Sequence, residues 1–161
     1  MKEKEVSGAL LREEIARLKK EKNALIMAHY YQRDEIQEIA DFIGDSLALA
    51  RKASETDADI ILMCGVHFMG ETAKVLCPDK KVLVPDLSAG CSLADSCPAD
   101  RFADFVASHP GYTVVSYVNT TAAVKAHTDI VVTSGNARKV IDSLPADEKI
   151  IFGPDRNLGS Y

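Results

Sequence analysis

Apolar positions along the chain follow two rhythms. Leu10, Leu11, Ile15 and Leu18 recur at helical spacing, with Ser7 placed to cap the start, so residues 8–21 are expected to form an amphipathic helix. Beyond it, apolar residues gather in short runs of strand length at 24–28, 59–64, 81–84, 113–118, 130–133 and 150–152. These runs are continuous rather than alternating, as in parallel strands covered on both faces. Helical patterns separate most of them, at 35–43 and 47–53, then 70–76, 101–107, 121–126 and 138–144. Strand and helix alternate throughout, which predicts an α/β fold of repeated βαβαβ units with parallel three-layer sheets.

The chain also resembles itself. "DIILMCG" from Asp59 matches "DIVVTSG" from Asp129, and each is followed by a helix containing Lys-Val and then by a strand ending in Pro-Asp. "NALIMAHYY" and "YTVVSYVNTT" occupy equivalent first-strand places. Fixed-order repetition of this kind argues for two copies of one unit. The expected division is residues 1–88, the amino-terminal helix plus a first unit, and residues 89–161, a second unit. The second copy stops on the loop after a strand, where the first continues into a helix, so it reads as truncated.

In open α/β sheets, ligands bind beyond the carboxyl ends of the strands. The run Leu25-Ile26-Met27-Ala28 ends there in His29-Tyr30-Tyr31, where a plain turn would carry Gly, Asn or Asp. The other strand ends read Gly65-Val66-His67, Tyr117-Val118-Asn119, Thr133-Ser134-Gly135 and Pro154-Asp155-Arg156. Imidazole, phenol, amide and hydroxyl groups along one edge suit a small, oxygen-rich, anionic ligand. Thr120-Thr121 and Ser134-Gly135-Asn136 are expected to open helices and offer backbone N–H groups to carboxylate or phosphate. Tyr30, adjacent to Tyr31, is expected to face the other way and pack. Neither G-x-G-x-x-G nor G-x-x-x-x-G-K-[ST] occurs, so dinucleotide and P-loop readings lack their fingerprint.

Charge and cysteine content narrow the class. A formal net charge of −5 argues against a nucleic acid held by a basic surface. No apolar stretch reaches the roughly 20 residues that a membrane helix needs. The charged start "MKEKEVSGALLREE" lacks the apolar segment of a secretory signal, so a cytoplasmic location is expected. Its four cysteines, Cys64, Cys77, Cys91 and Cys97, are then thiols, metal ligands or core fillers rather than a disulfide framework. The spacing of Cys91 and Cys97 fits no standard zinc pattern, but a cysteine in a glycine-flanked loop can supply one ligand to a cluster completed elsewhere. Cys64 and Cys77 are expected in the core.

"MAHYYQRDEIQEIADFIGDSLALA", "CGVHFMGETAKVLCP", "VPDLSAGCSLADSC", "VVSYVNTTAAVKA", "DIVVTSGNA" and "IIFGPDRNLGSY" together resemble the quinolinate synthase family, collinearly from about Ala24 onward. The resemblance implies an enzyme of de novo NAD biosynthesis that condenses iminosuccinate with dihydroxyacetone phosphate to give quinolinate. It implies a functional link to L-aspartate oxidase and a fold of three similar units, of which two are expected here. It also implies a [4Fe-4S] cluster with three cysteine ligands, whose open iron acts as a Lewis acid. By position in the motifs, Cys91 would be the ligand of the first unit. His29 and Tyr31 would be catalytic, and His29, Ser46, Tyr117, Val118, Asn119 and Ser134 would bind substrate. The other two ligands are absent from this sequence, so the chain alone is expected to be inactive. The competing reading is a metal-free α/β module binding a small dicarboxylate or sugar phosphate; a decayed, inactive product is a third.

Overall fold

The computed structural model describes residues Gly8–Ser160, so the expected cap at Ser7 lies outside the described residues. The chain divides into two compact units, one ending at Leu87 and the other starting at Ser88. Both are α/β with parallel strands, as the apolar runs require.

The first unit begins with helix α1, Gly8–Glu21. Lys19 and Lys20 in its last turn complement the negative end of the helix dipole. Asn23 then takes a positive φ of 46°, and the chain turns into β1, Ala24–His29. After β1 come α2 (Asp34–Gln37), β2 (Phe42–Gly44), α3 (Ser46–Glu55), β3 (Ile60–Cys64), α4 (His67–Leu76) and β4 (Lys81–Leu83). The strand order is β2-β1-β3-β4, so β1 is paired on both edges. On one face Ile26, Ala28 and Cys64 form a core with Ile15 of α1 and Ile36 of α2. Met27, Ile61 and Met63, on the opposite face by strand alternation, are also buried.

The second unit contains α5 (Ser92–Asp95), α6 (Ala99–Ala107), β5 (Thr113–Tyr117), α7 (Ala122–Lys125), β6 (Ile130–Val132), α8 (Ala137–Ile141), β7 (Ile150–Gly153) and α9 (Arg156–Ser160). Its sheet runs β6-β5-β7, again with the unit's first strand paired on both edges. Phe102, Val114, Val124 and Ile151 pack one face, and Val115, Val132 and Ala137 the other. This is the three-layer arrangement expected of continuous apolar strands.

One expected helix is in fact two elements. Ile36, Ile39, Ala40 and Ile43 follow helical spacing, yet only Asp34–Gln37 is helical and Phe42–Gly44 is a strand. Asp41 decides this. Its N–H donates to the Ile26 carbonyl at 2.8 Å, and its carboxylate accepts the Ile26 N–H at 2.9 Å. Asp129 brackets Val114 in the same way, at 2.9 and 2.8 Å. Each aspartate locks the entry of an outer strand beside the central one.

This bracket corrects the expected repeat. The strand after Asp129 corresponds to β2, not to β3. Met27 pairs with Phe42 as Val115 pairs with Ile130, and His29 pairs with Gly44 as Tyr117 pairs with Val132. A constant offset of 88 residues therefore carries Asn23 to Gly111, Ile26 to Val114, Asp41 to Asp129 and Ser46 to Ser134. Gly111 shares the positive φ of Asn23, at 81°. Missing the short β2 slides the repeat by one strand.

No described helix is long and apolar enough to cross a membrane. Asp129→Ala removes the carboxylate that accepts the Val114 N–H; it is expected to cost about 1 kcal/mol, read as a lower urea midpoint at unchanged m. An unchanged midpoint contradicts the bracketing role.

Candidate functional site

The rim of the first unit is built where β1 runs out. His29 is its last residue and is buried, at 6% exposure. Its ring lies against Tyr31, centroids 3.9 Å apart, and against Tyr30 at 4.3 Å. Both tyrosines are more than half exposed, so Tyr30 does not pack into the core as expected. Paired edges leave the chain no further strand partners past Gly44, and the two phenols extend along the surface over the imidazole.

The tautomer of His29 follows from one contact. The backbone N–H of Tyr31 donates to Nδ1 at 3.4 Å, so Nδ1 presents a lone pair and the neutral ring carries its proton on Nε2. Burial pushes the imidazole below its ordinary pKa, and the carboxylate of Asp45 partly opposes that shift. Asp45 also caps α3, accepting the Ala48 N–H at 2.8 Å. Ser46 follows as the first residue of this ten-residue helix, where the N–H groups ahead of Ala48 and the dipole favour an anion. Asp45 was not among the expected site residues; its signal is an acidic residue immediately before a helix-initiating serine.

In the second unit the loop after β5 carries the polar groups. Tyr117 is half-buried at the strand end. Val118 is buried and gives its N–H to the Val132 carbonyl at 2.8 Å, so its side chain offers a ligand only shape. Asn119 donates from Nδ2 to Cys91 Sγ at 3.6 Å. Cys91 therefore falls in the second compact unit and not with β1 to β4. It is half-buried, at the start of the short helix α5.

Ser134 stands apart from that pair. It lies in an exposed turn after β6 and lines a cavity of about 410 Å³ with Ala137, Arg138, Ile141, Phe152 and Leu158. Neither Asn119 nor Cys91 lines this cavity. The expected helix seat at Ser134 also changes: the cap of α8 is Asn136, and α8 spans only five residues. Thr121 caps α7, accepting the Val124 N–H at 3.3 Å, and α7 has four residues. Helices this short sum few peptide dipoles, so α3 at Ser46 provides the stronger of the expected anion seats.

The remaining cysteines have structural surroundings. Cys64 belongs to the apolar core of the first unit. Cys77 is buried and its thiol donates to the Ala53 carbonyl at 3.1 Å. Cys97 packs beside Phe102 and Val114, and burial raises its pKa, as it does that of Cys64. Among the described residues, no three His, Cys, Asp or Glu side chains converge to hold a metal ion. Cys91 can supply one thiolate, and one thiolate does not fit a four-iron cluster.

Comparison with known proteins places the chain in a family. The model of the quinolinate synthetase A protein family matches residues 13–161. The chain belongs to that family. It is 62% identical over 92% of its length to the quinolinate synthase of Trichodesmium erythraeum (strain IMS101), covering 46% of that protein. It is 60% identical over 98% of its length to the quinolinate synthase of Prochlorococcus marinus (strain MIT 9313), again covering 46%. For the quinolinate synthase of Nostoc punctiforme (strain ATCC 29133 / PCC 73102), identity is 63% over 91% of the chain and 45% of the relative. The chain thus spans somewhat under half the length of these family members.

The electrostatics of His29 are testable. Its folded pKa lies below the ordinary 6.5, so folding favours the neutral ring. The associated stability is complete above pH 6.5 and is lost as pH falls through the folded midpoint. Nuclear magnetic resonance titration is expected to give an imidazole midpoint under 6.5, lowered further by Asp45→Asn. A midpoint above 6.5 contradicts the burial account.

Proposed function

We propose that a protein carrying this chain is a quinolinate synthase, condensing iminosuccinate with dihydroxyacetone phosphate to give quinolinate in de novo NAD biosynthesis. The observation that carries this reading is 60–63% identity to proteins of that name over nearly the whole chain. The polar groups at the strand ends of each unit, taken separately, support it.

Iminosuccinate carries two carboxylates, and this chain offers hydrogen-bond donors suited to them. Ser46 at the start of α3 is one seat for a carboxylate. Asn119 and Ser134 are polar groups without an adjacent activating base, so their role is to position anions rather than to react. His29 is the group fitted to move a proton. Neutral at pH 7, it donates from Nε2 to a substrate oxygen and takes a proton back in a later step. Tyr31, whose ring lies against His29, extends the phenol over the same imidazole and is the second candidate for proton handling.

The cluster implied by the resemblance requires two ligands besides Cys91. We place them in the part of the relatives that this chain does not span, and the chain by itself is then inactive and holds no cluster. The aspartate oxidase reaction is the matching source of iminosuccinate, and a cytoplasmic setting fits both steps.

The test is an anaerobic assay of quinolinate formation by a protein joining this chain to the portion present in its relatives. Tyr31→Phe is expected to lower kcat by about 100-fold or more, the range for loss of an acid–base group. Ser134→Ala is expected to raise KM about tenfold through loss of a hydrogen bond to a charged group. No quinolinate from the unsubstituted protein contradicts the reading, and dicarboxylate binding without turnover favours the binding module instead.

A further inference from the structure

The loops that present Tyr31 and Asn119 share one construction. In the first unit, Gln37 at the end of α2 donates from Nε2 to the carbonyls of Tyr30, at 3.0 Å, and Gln32, at 2.7 Å. In the second, Lys125 at the end of α7 donates from Nζ to the carbonyl of Val118, at 2.9 Å, and to that of Thr120. The offset of 88 residues that relates the two units carries Gln37 to Lys125, Tyr30 to Val118 and Gln32 to Thr120. It also carries α2, Asp34–Gln37, onto α7, Ala122–Lys125. The residue held between the two carbonyls is Tyr31 in one unit and Asn119 in the other.

We infer that Gln37 and Lys125 are equivalent positioning residues, each clamping the carbonyls on either side of a site residue and so fixing where Tyr31 and Asn119 stand. This inference rests on the proposed reading of those two as site residues. An amide NH2 has two protons and an ammonium three, so either can serve two acceptors at once. Each donor pins the peptide group before the site residue and the one following its neighbour. The two-residue segment between them cannot then swing. For Asn119, the consequence is a side-chain amide kept within 3.6 Å of Cys91 Sγ. For Tyr31, it is a ring kept 3.9 Å from that of His29 and a backbone N–H kept on Nδ1.

A neutral amide and a cation occupying the same place show which property matters. Shared geometry with unshared charge assigns the role to hydrogen bonding. Gln at position 125 is therefore able to replace Lys, whereas the nearly isosteric Met, with no donor, is not.

Amide exchange reads the clamp directly. The Thr120 N–H, bonded to the Val118 carbonyl at 2.8 Å, and the Gln32 N–H, bonded to the His29 carbonyl at 2.9 Å, are the reporters. In Lys125→Met the Thr120 amide is expected to exchange about tenfold faster or more, as loss of partly buried hydrogen bonds implies. The Val115 amide in the middle of β5 serves as a control and keeps its rate. Lys125→Gln restores slow exchange at Thr120. Gln37→Leu accelerates the Gln32 amide in the same way, and Gln37→Lys restores it. Wild-type exchange in folded Lys125→Met or Gln37→Leu overturns the clamp, as does failure of both donor swaps.

The kinetic arm uses the protein extended by the portion its relatives carry. Lys125→Met is expected to lower kcat/KM for quinolinate formation about tenfold, with recovery in Lys125→Gln. If exchange responds and Lys125→Met turns over at the wild-type rate, positioning of Asn119 for chemistry is overturned. If exchange responds while the unsubstituted protein makes no quinolinate, the clamp stands and the proposed function fails.

Discussion

The central strand of each sheet is hydrogen-bonded along both edges and covered on both faces, and this constraint shapes everything else. Between Ile26 and Ala28, and between Val114 and Ser116, each residue is buried. A polar side chain there has to be satisfied internally, as Ser116 is by Thr128 at 2.8 Å. The strand's carboxyl end is the first place where imidazole, phenol or carboxamide can reach a ligand. His29 and Tyr117 are equivalent positions at that exit, and Tyr31 and Asn119 are equivalent positions two residues further on.

The apolar runs made β1, β3, β5 and β7 legible because burial on two faces leaves a continuous signature. The short β2 left none. Phe42 and Ile43 belong to a run of helical spacing, and what makes them a strand is pairing with β1, entered through the bracket from Asp41 to Ile26, fifteen residues apart in sequence. Self-similarity was visible, but its register was not. "DIILMCG" and "DIVVTSG" share letters, while the structural equivalent of Asp129–Ser134 is Asp41–Ser46, which keeps little beyond its first and last residues. Backbone pairing preserves what side-chain identity does not.

The candidate site was legible to the extent that it follows the strand-end rule. That rule puts His29, Tyr31, Tyr117, Asn119 and Ser134 on carboxyl edges, and each lies at or within two residues of the end of a strand. What it cannot supply is which groups meet. Asn119 reaches Cys91 across 28 residues because the loop before α5 returns to the end of β5. Ser134 opens instead onto a cavity of mixed polarity, where Arg138 and Asp142 stand beside Ile141 and Phe152, since α8 starts later than the polar run suggested. The donors that hold the loops, Gln37 and Lys125, look like ordinary surface polar residues until the repeat register aligns them.

The most direct test of the account is to titrate quinolinate into isotopically labelled protein and map the backbone amide shifts. The account predicts perturbations at the carboxyl ends of the strands, around His29, Tyr31 and Ser46 in the first unit and around Tyr117, Asn119 and Ser134 in the second. Perturbations gathered instead at the opposite ends, around Ala24, Ile60, Thr113 and Ile150, contradict it.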